Sequence, residues 1–378
     1  LLLGSAKSAA AAAGSDLPGL VEEPFCRGRL DVPGVLLIVF SGLGTHAARP
    51  YDFSGLAHRP DCSVLLVRDP SDSWFHGVPG VEGGAEGFAR RLAAYARGYS
   101  RVVCVGYSMG GYAALLFGRL LQADVTLSFA PQTVLTACGM ARLADPRWRD
   151  HLDKVRALEA PRGLMDLKAL FAETAASAAR RRTSIYFPAA GDALDRLHAR
   201  RLSDHADLVE LGDDVAHSGF AIWLRRSGAL RLLIDEAVGG IRGNLAGATD
   251  RYARWLDGLA YELWIDPPSQ WGRAAGEVRV TGVVHKIGNG VLAVDGSSER
   301  PVRVGARRLS IDGRAPWPVE WRHDFDASAL VPGGKYPFGL CFQSSQLPAG
   351  PNPISISLVK EHEFWFRDLG LPETVLVL

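Results

Sequence analysis

Apolar and polar positions are patterned on two scales along this chain. Through the first two thirds, short runs recur that are apolar at almost every position. They are Val35–Phe40 (VLLIVF), Ser63–Val67 (SVLLV), Arg101–Val105 (RVVCV), Asp124–Phe129 (DVTLSF), Ser184–Phe187 (SIYF) and Asp207–Leu211 (DLVEL). A run without period-two alternation predicts a strand covered on both faces, as in the middle of a parallel sheet. Helix-like segments lie between the runs. Ala85–Gly98 carries Phe88, Leu92 and Tyr95 at helical spacing, and Gly111–Gln122 is apolar nearly throughout, as a buried helix is. This βαβα rhythm predicts an α/β fold with a doubly wound, mostly parallel sheet. The gap before Ser184 is longer than the others and holds helix-like stretches at Arg147–Glu159 and Met165–Ala179. It predicts a helical cap segment over about 137–181.

After about residue 248 the pattern changes. Thr249–Leu263 predicts a linking helix. Short alternating runs follow at Glu277–Val284, Gly290–Val294, Val302–Val304 and Pro353–Leu358, separated by Gly-Asn-Gly, Asp-Gly, Pro-Gly-Gly and Pro-Ala-Gly. Such turn signals between short strands predict an all-β, sandwich-like C-terminal domain over 249–378, behind an α/β domain over 21–248. Residues 1–20 are an alanine-rich tail set outside the fold. No tandem repeat of solenoid period is present.

Composition narrows the function classes. The chain has 378 residues, 47% hydrophobic and 22% charged, with 42 Lys+Arg against 41 Asp+Glu for a net charge of +1. That balance argues against global disorder and supplies no electrostatic reason to expect nucleic acid as a partner. No apolar run reaches the roughly 18 residues that a membrane span needs. The five cysteines are widely spaced, odd in number and without a CxxC. They read as neither a disulfide framework nor a zinc site, and a reducing, cytoplasmic setting is the default expectation. There is no P-loop, no GxGxxG after the first strand and no HExxH. No cofactor or metal is expected.

The sharpest local feature is Gly106-Tyr107-Ser108-Met109-Gly110, a G-x-S-x-G string directly after one predicted strand and directly before a helix. The chain must turn sharply there. The glycines relieve crowding around a strained turn that lifts the serine hydroxyl above the sheet edge, next to the positive end of the following helix. The bland alternative is a glycine-rich turn whose serine caps the helix.

With this string in this setting, the chain resembles the α/β-hydrolase superfamily over about residues 21–239. The resemblance implies a Ser-Asp-His order, so the acid and the histidine should follow Ser108 at the ends of later strands. It implies that His217, after the last apolar run, is the general base. It leaves the acid open between Asp192 and Asp195 in the string Gly191-Asp192-Ala-Leu-Asp195-Arg-Leu-His198, with Asp195 preferred. His198, His205 and His151 read as solvated. The resemblance also implies an oxyanion hole made by the N–H of Met109 and a second N–H from Ser41-Gly42-Leu43-Gly44, at Gly42 or Leu43.

The string Arg68-Asp69-Pro70-Ser71-Asp72-Ser73-Trp74-Phe75-His76-Gly77 and the Asp195-x-x-His-Ala string further resemble hydrolase-like proteins of bacterial surface-glycan assembly. Tyr107, Trp74 and Phe75 are then candidate substrate contacts, with packing as the alternative for Trp74. The C-terminal tryptophans read mostly as core. Together these expectations describe a serine esterase or deacylase on an acylated carbohydrate. A glycan acyltransferase with the same triad and a non-catalytic scaffold of the same fold are the alternatives.

Overall fold

The computed structural model describes residues 19–44, 51–158, 161–174, 181–189, 191, 193–212, 215–274, 276–294, 300–309, 320–347, 349–361 and 363–378. The expectation of an N-terminal tail therefore lies almost wholly outside the described residues.

The N-terminal part is built on one sheet. Its strands are β1 (Leu20–Glu23), β2 (Cys26–Arg29), β3 (Val35–Phe40), β4 (Ser63–Val67), β5 (Arg101–Tyr107), β6 (Val125–Phe129), β7 (Arg182–Pro188) and β8 (Asp207–Leu211). They lie in the order β1-β2-β4-β3-β5-β6-β7-β8. The six strands from β4 to β8 in that order are parallel, and β2 runs antiparallel to both β1 and β4. This is a mostly parallel sheet covered by helices on both faces.

The apolar run of β3 shows why period-two alternation is missing. Leu36, Ile38 and Phe40 face one core with Phe88, Leu92 and Phe117, while Leu37 and Val39 face a second core with Phe220, Trp223 and Ile234. Both faces are covered, so both sets must be apolar. The first core is roofed by α1 (Gly84–Ala96) and α2 (Met109–Leu120). The expected cap segment holds four short helices: α3 (Ala137–Arg142), α4 (Arg149–Ala157), α5 (Arg162–Met165) and α6 (Leu167–Glu173). Then come α7 (Ala193–Arg200), α8 (His217–Arg226), α9 (Ala229–Gly239) and α10 (Ala248–Leu259). Helices α8 and α9 are separate because Gly228 takes φ 80° and breaks the chain between them. The linking helix ends at Leu259, and Tyr261–Leu263 belong to a strand.

Strands β1 and β2 were not legible, being four residues each and half polar. Gly28 is the reason β2 fits: a Cβ there would meet the Val64 oxygen at 2.4 Å.

Beyond α10 the chain is antiparallel β. Its strands are β9 (Tyr261–Ile265), β10 (Gly272–Ala274), β11 (Glu277–Lys286), β12 (Leu292–Ala293), β13 (Val302–Arg308), β14 (Glu320–His323), β15 (Ala329–Leu330), β16 (Lys335–Gln343), β17 (Pro353–Lys360), β18 (Phe364–Trp365) and β19 (Thr374–Val377). One sheet gathers β9, β10, β11 and β16, another gathers β13, β14, β17, β18 and β19, and β12 pairs with β15. Val280, Val284, Val304, Ile356, Leu358 and Phe342 share one apolar core with Ile222 of α8. Trp321 and Trp365 are buried, whereas Trp264 is 44% exposed; Trp317 lies outside the described residues. All five cysteines are free. Among the described residues no helix is long and apolar enough to cross a membrane, and no group of three or more His, Cys, Asp or Glu could hold a metal ion.

Candidate active site

The carboxyl ends of β5, β7 and β8 meet at one edge of the sheet, and three sequence-predicted side chains come together there. Ser108 sits between β5 and α2 with φ 56° and ψ −119°. An L-residue reaches that region only when its surroundings enforce it. Here three constraints do so. The Ser108 N–H donates to the Phe129 oxygen at 2.8 Å. A Cβ at Gly106 would lie 2.0 Å from the Gly110 oxygen, and one at Gly110 would lie 2.1 Å from the Phe40 oxygen. Only glycines allow the backbones to approach this closely, and the turn points the serine side chain outward.

Ser108 Oγ lies 2.9 Å from His217 Nε2. His217 opens α8, and its Nδ1 lies 2.7 Å from Asp195 Oδ2 and 2.9 Å from Asp195 Oδ1. An ionised carboxylate only accepts, so Nδ1 carries the hydrogen and Nε2 presents its lone pair to the serine hydroxyl. Asp195 is fully buried in α7. Burial opposes its charge, but His217 and Arg147 outweigh burial and hold the carboxyl below its usual range. Of the two acids left open by the sequence, Asp195 is the one facing His217. Asp192 lies outside the described residues.

Tyr107 does not offer its hydroxyl to a ligand. That group donates to the main-chain oxygen of His217. Burial raises its pKa well above the ordinary tyrosine value, so the hydroxyl keeps its proton. Met109 follows Ser108 at the first turn of α2. The Gly42 N–H donates to Asp52 Oδ2 at 2.7 Å, while the Asp52 N–H donates to Ser41 Oγ at 3.1 Å. Gly42 is thereby tied into its own loop through Asp52.

Two expectations are corrected. Trp74 and Phe75 form no open wall, being 1% and 0% exposed. Asp69 explains this: its Oδ2 accepts from the N–H groups of Ser73 at 2.6 Å and Phe75 at 2.8 Å, and its Oδ1 accepts from the Ser71 hydroxyl at 2.7 Å. The carboxylate winds the string into a tight loop in which Asp72, Trp74 and Phe75 all take positive φ. Phe75 is thus turned in among Phe40, Phe88 and Phe117. Trp74 is buried with its Nε1–H on Gln132 Oε1 at 3.3 Å.

His198 is likewise buried rather than solvated. Its Nδ1 accepts from the Thr133 N–H at 3.0 Å, and its Nε2 lies 3.0 Å from Asp145 Oδ2. The signal was present: Asp195, His198 and Ala199 stand at i, i+3 and i+4 and share the buried face of α7. His151 and His205 are half-buried.

Sequence reasoning missed the contribution of Asp145-Pro146-Arg147-Trp148, between α3 and α4. Arg147 Nη1 lies 2.9 Å from Asp195 Oδ1, and its Nη2 lies 2.8 Å from Asp145 Oδ2. The Trp148 ring stands 6.2 Å from that of His217, with Trp148 itself at φ 61°. No motif marks these residues, because what recruits them is the fold of the cap segment.

No protein-family model matches the sequence, and no curated protein matches it. Solved structures similar to the chain include α/β and serine hydrolases, an O-acetyltransferase and a glycosylation-associated protein. The capsule O-acetyltransferase of Neisseria meningitidis serogroup A is 15% identical, with 58% of this chain and 97% of that chain covered at a TM-score of 0.43. S-formylglutathione hydrolase of Staphylococcus aureus is 17% identical, with 55% and 85% covered at 0.41. The glycosylation-associated complex of Streptococcus agalactiae is 14% identical, with 57% of this chain but 45% of that chain covered at 0.42. Likenesses at this level carry no conclusion about the chemistry of this chain.

Proposed function

We propose that this chain is a serine hydrolase that forms an acyl-enzyme at Ser108. The observation that carries the reading is the continuous contact from Ser108 Oγ through His217 to the buried Asp195 carboxylate, with Ser108 held at a strained backbone position. A serine hydroxyl is a poor nucleophile until a base takes its proton. His217 Nε2 takes it as Oγ attacks the acyl carbon, and Asp195 holds the imidazole in the required tautomer and stabilises the imidazolium. The N–H of Met109 and a second N–H from the Ser41–Gly44 loop, at Gly42 or Leu43, receive the developing oxyanion. His217 then protonates the leaving oxygen, and a second acceptor attacks the acyl-enzyme by the same route in reverse.

Water as that acceptor makes an esterase or deacylase, and a sugar hydroxyl makes an acyltransferase. We favour deacylation of an acylated carbohydrate, on the resemblance of the Asp195-x-x-His-Ala string to glycan-assembly hydrolases. Residues 21–248 are read as the catalytic domain and 249–378 as a sandwich-like accessory domain. A fluorophosphonate probe tests the chemistry. The expected result is labelling of the wild type that is lost in Ser108→Ala and His217→Ala. Absence of labelling in folded wild-type protein would sink the reading. A panel of acylated sugars, assayed for acyl release and acyl transfer, then separates the two acceptors.

A further inference from the structure

A buried chain of polar and charged groups continues behind Asp195. From Asp195 it passes to Arg147, then to Asp145, and ends at His198, whose Nδ1 is satisfied by the Thr133 N–H. Asp145, Asp195 and His198 have fully buried side chains, and that of Arg147 is 17% exposed. Arg147 Nε also reaches both oxygens of Asp145, at 3.0 and 3.1 Å. The guanidinium fork therefore grips Asp145 from one edge and presents its remaining amine to Asp195.

We propose that Arg147 is a positioning residue for the triad, holding Asp195 by its Oδ1 and setting the charge that His217 faces. This rests on the reading of Ser108, His217 and Asp195 as a catalytic triad. Two arguments support it. The first is geometric. With Oδ1 drawn towards Arg147, Oδ2 is left as the nearer partner of His217 Nδ1, at 2.7 against 2.9 Å. The second is electrostatic. Two buried carboxylates against one guanidinium leave a single net negative charge, because burial keeps His198 neutral. The imidazolium formed during reaction cancels that charge. Without Arg147, two carboxylates would stand behind His217 uncompensated, and the imidazolium would be favoured over the neutral ring.

The other charged or titratable groups on this site stay in place. Among the described residues they include Tyr107 from β5, Asp52 from the loop after β3, Asp368 after β18, which lies against Ser218 and is flanked by Arg367, and Arg149, Asp153 and Arg156 of α4, which line one cavity with Asp145 and Arg147. A change confined to Arg147 or Asp145 therefore reads the proposed network.

The experiment measures the rate of fluorophosphonate labelling of the full chain against pH, with circular dichroism to confirm folding. Arg147→Met should move the acid-side midpoint upward by about one pH unit, the size expected of a unit charge several ångströms away in a partly screened site. Asp145→Asn removes a negative charge and should move it downward. Arg147→Lys keeps the charge but loses the fork, so the midpoint should stay near wild type while the rate falls. A merely structural role would slow all three without shifts of opposite sign. If the Arg147→Met and Asp145→Asn midpoints both coincide with wild type, or both move the same way, the proposal is overturned while the triad reading stands. If Arg147→Met does not fold, the direction of the Asp145→Asn shift decides. If folded wild type is not labelled at all, the triad reading fails, and this proposal with it.

Discussion

The Tyr107 hydroxyl donates to the main-chain oxygen of His217, and the two rings lie tilted with centroids 5.4 Å apart. One residue thus ties the end of the nucleophile strand to the residue that opens α8. Removing the hydroxyl in Tyr107→Phe keeps the ring contact and loses one hydrogen bond, which is worth about 1 kcal/mol. We expect Ser108 labelling to slow by roughly fivefold, with little change in apparent affinity for the probe. A variant as fast as wild type would mean that the bond does not hold His217 in place.

Asp195→Asn leaves the shape of the site but changes what Nδ1 meets. An amide N–H turned towards Nδ1 would demand a lone pair there and move the ring hydrogen to Nε2, where it cannot accept the serine proton. A loss of about 10⁴-fold in labelling rate follows from the wrong tautomer. Asp192→Asn should label near the wild-type rate. The reverse ranking of the two variants would reassign the acid.

Gly110→Ala places a methyl group against the Phe40 backbone oxygen, which cannot yield as a flexible side chain does. We expect a stability loss of about 2–4 kcal/mol in urea denaturation, from overpacking against fixed backbone. Ala at Gly34, where nothing lies within 4 Å of an added Cβ, carries only its φ 93° strain and should cost less. Equal losses would refute the close-approach account.

His76 should give stability a dependence on pH. Its ring is buried with Nε2 on the Tyr112 hydroxyl at 2.8 Å, and its Nδ1 has no hydrogen-bond partner among the described residues. Burial pushes its pKa down to about 4, with Asp69 opposing weakly. In the unfolded chain the ring protonates near pH 6.5. Between those values the unfolded state binds more protons, so stability falls as pH falls from 6.5 towards 4, by at most about 1.4 kcal/mol per pH unit. The contribution of the neutral buried ring is fully present above pH 6.5. His76→Leu removes this titration. Taken from pH 7 to pH 5, wild type should lose about 2 kcal/mol more than the variant. Identical losses would show that His76 does not titrate this way.

The sheet was legible where the chain was apolar without interruption, because a strand covered on both faces leaves no other pattern to choose from. Strands β1 and β2 were not legible, since Leu20–Glu23 and Cys26–Arg29 sit at the sheet edge and need few apolar positions. The Trp74-Phe75 pair misled for a related reason. Aromatic residues at a strand end fit a wall and a core equally well in sequence, and the choice was made by the Asp69 carboxylate folding the loop inward.

By itself the sequence determined what is local. The G-x-S-x-G turn follows from the need for glycine where an added Cβ would lie 2.0–2.1 Å from a neighbouring backbone oxygen. The alternation of strands and helices follows from which positions are apolar. The order of Ser108, Asp195 and His217 follows from the chain. Tertiary structure alone decided what depends on distance across the fold. It chose the aspartate that faces His217, turned Tyr107 from a substrate contact into a tether, and buried His198 against Asp145. It also brought Arg147, from between α3 and α4, to Asp195. A buried charge needs a partner wherever in the chain that partner lies, and proximity of this kind leaves no periodic trace in the sequence.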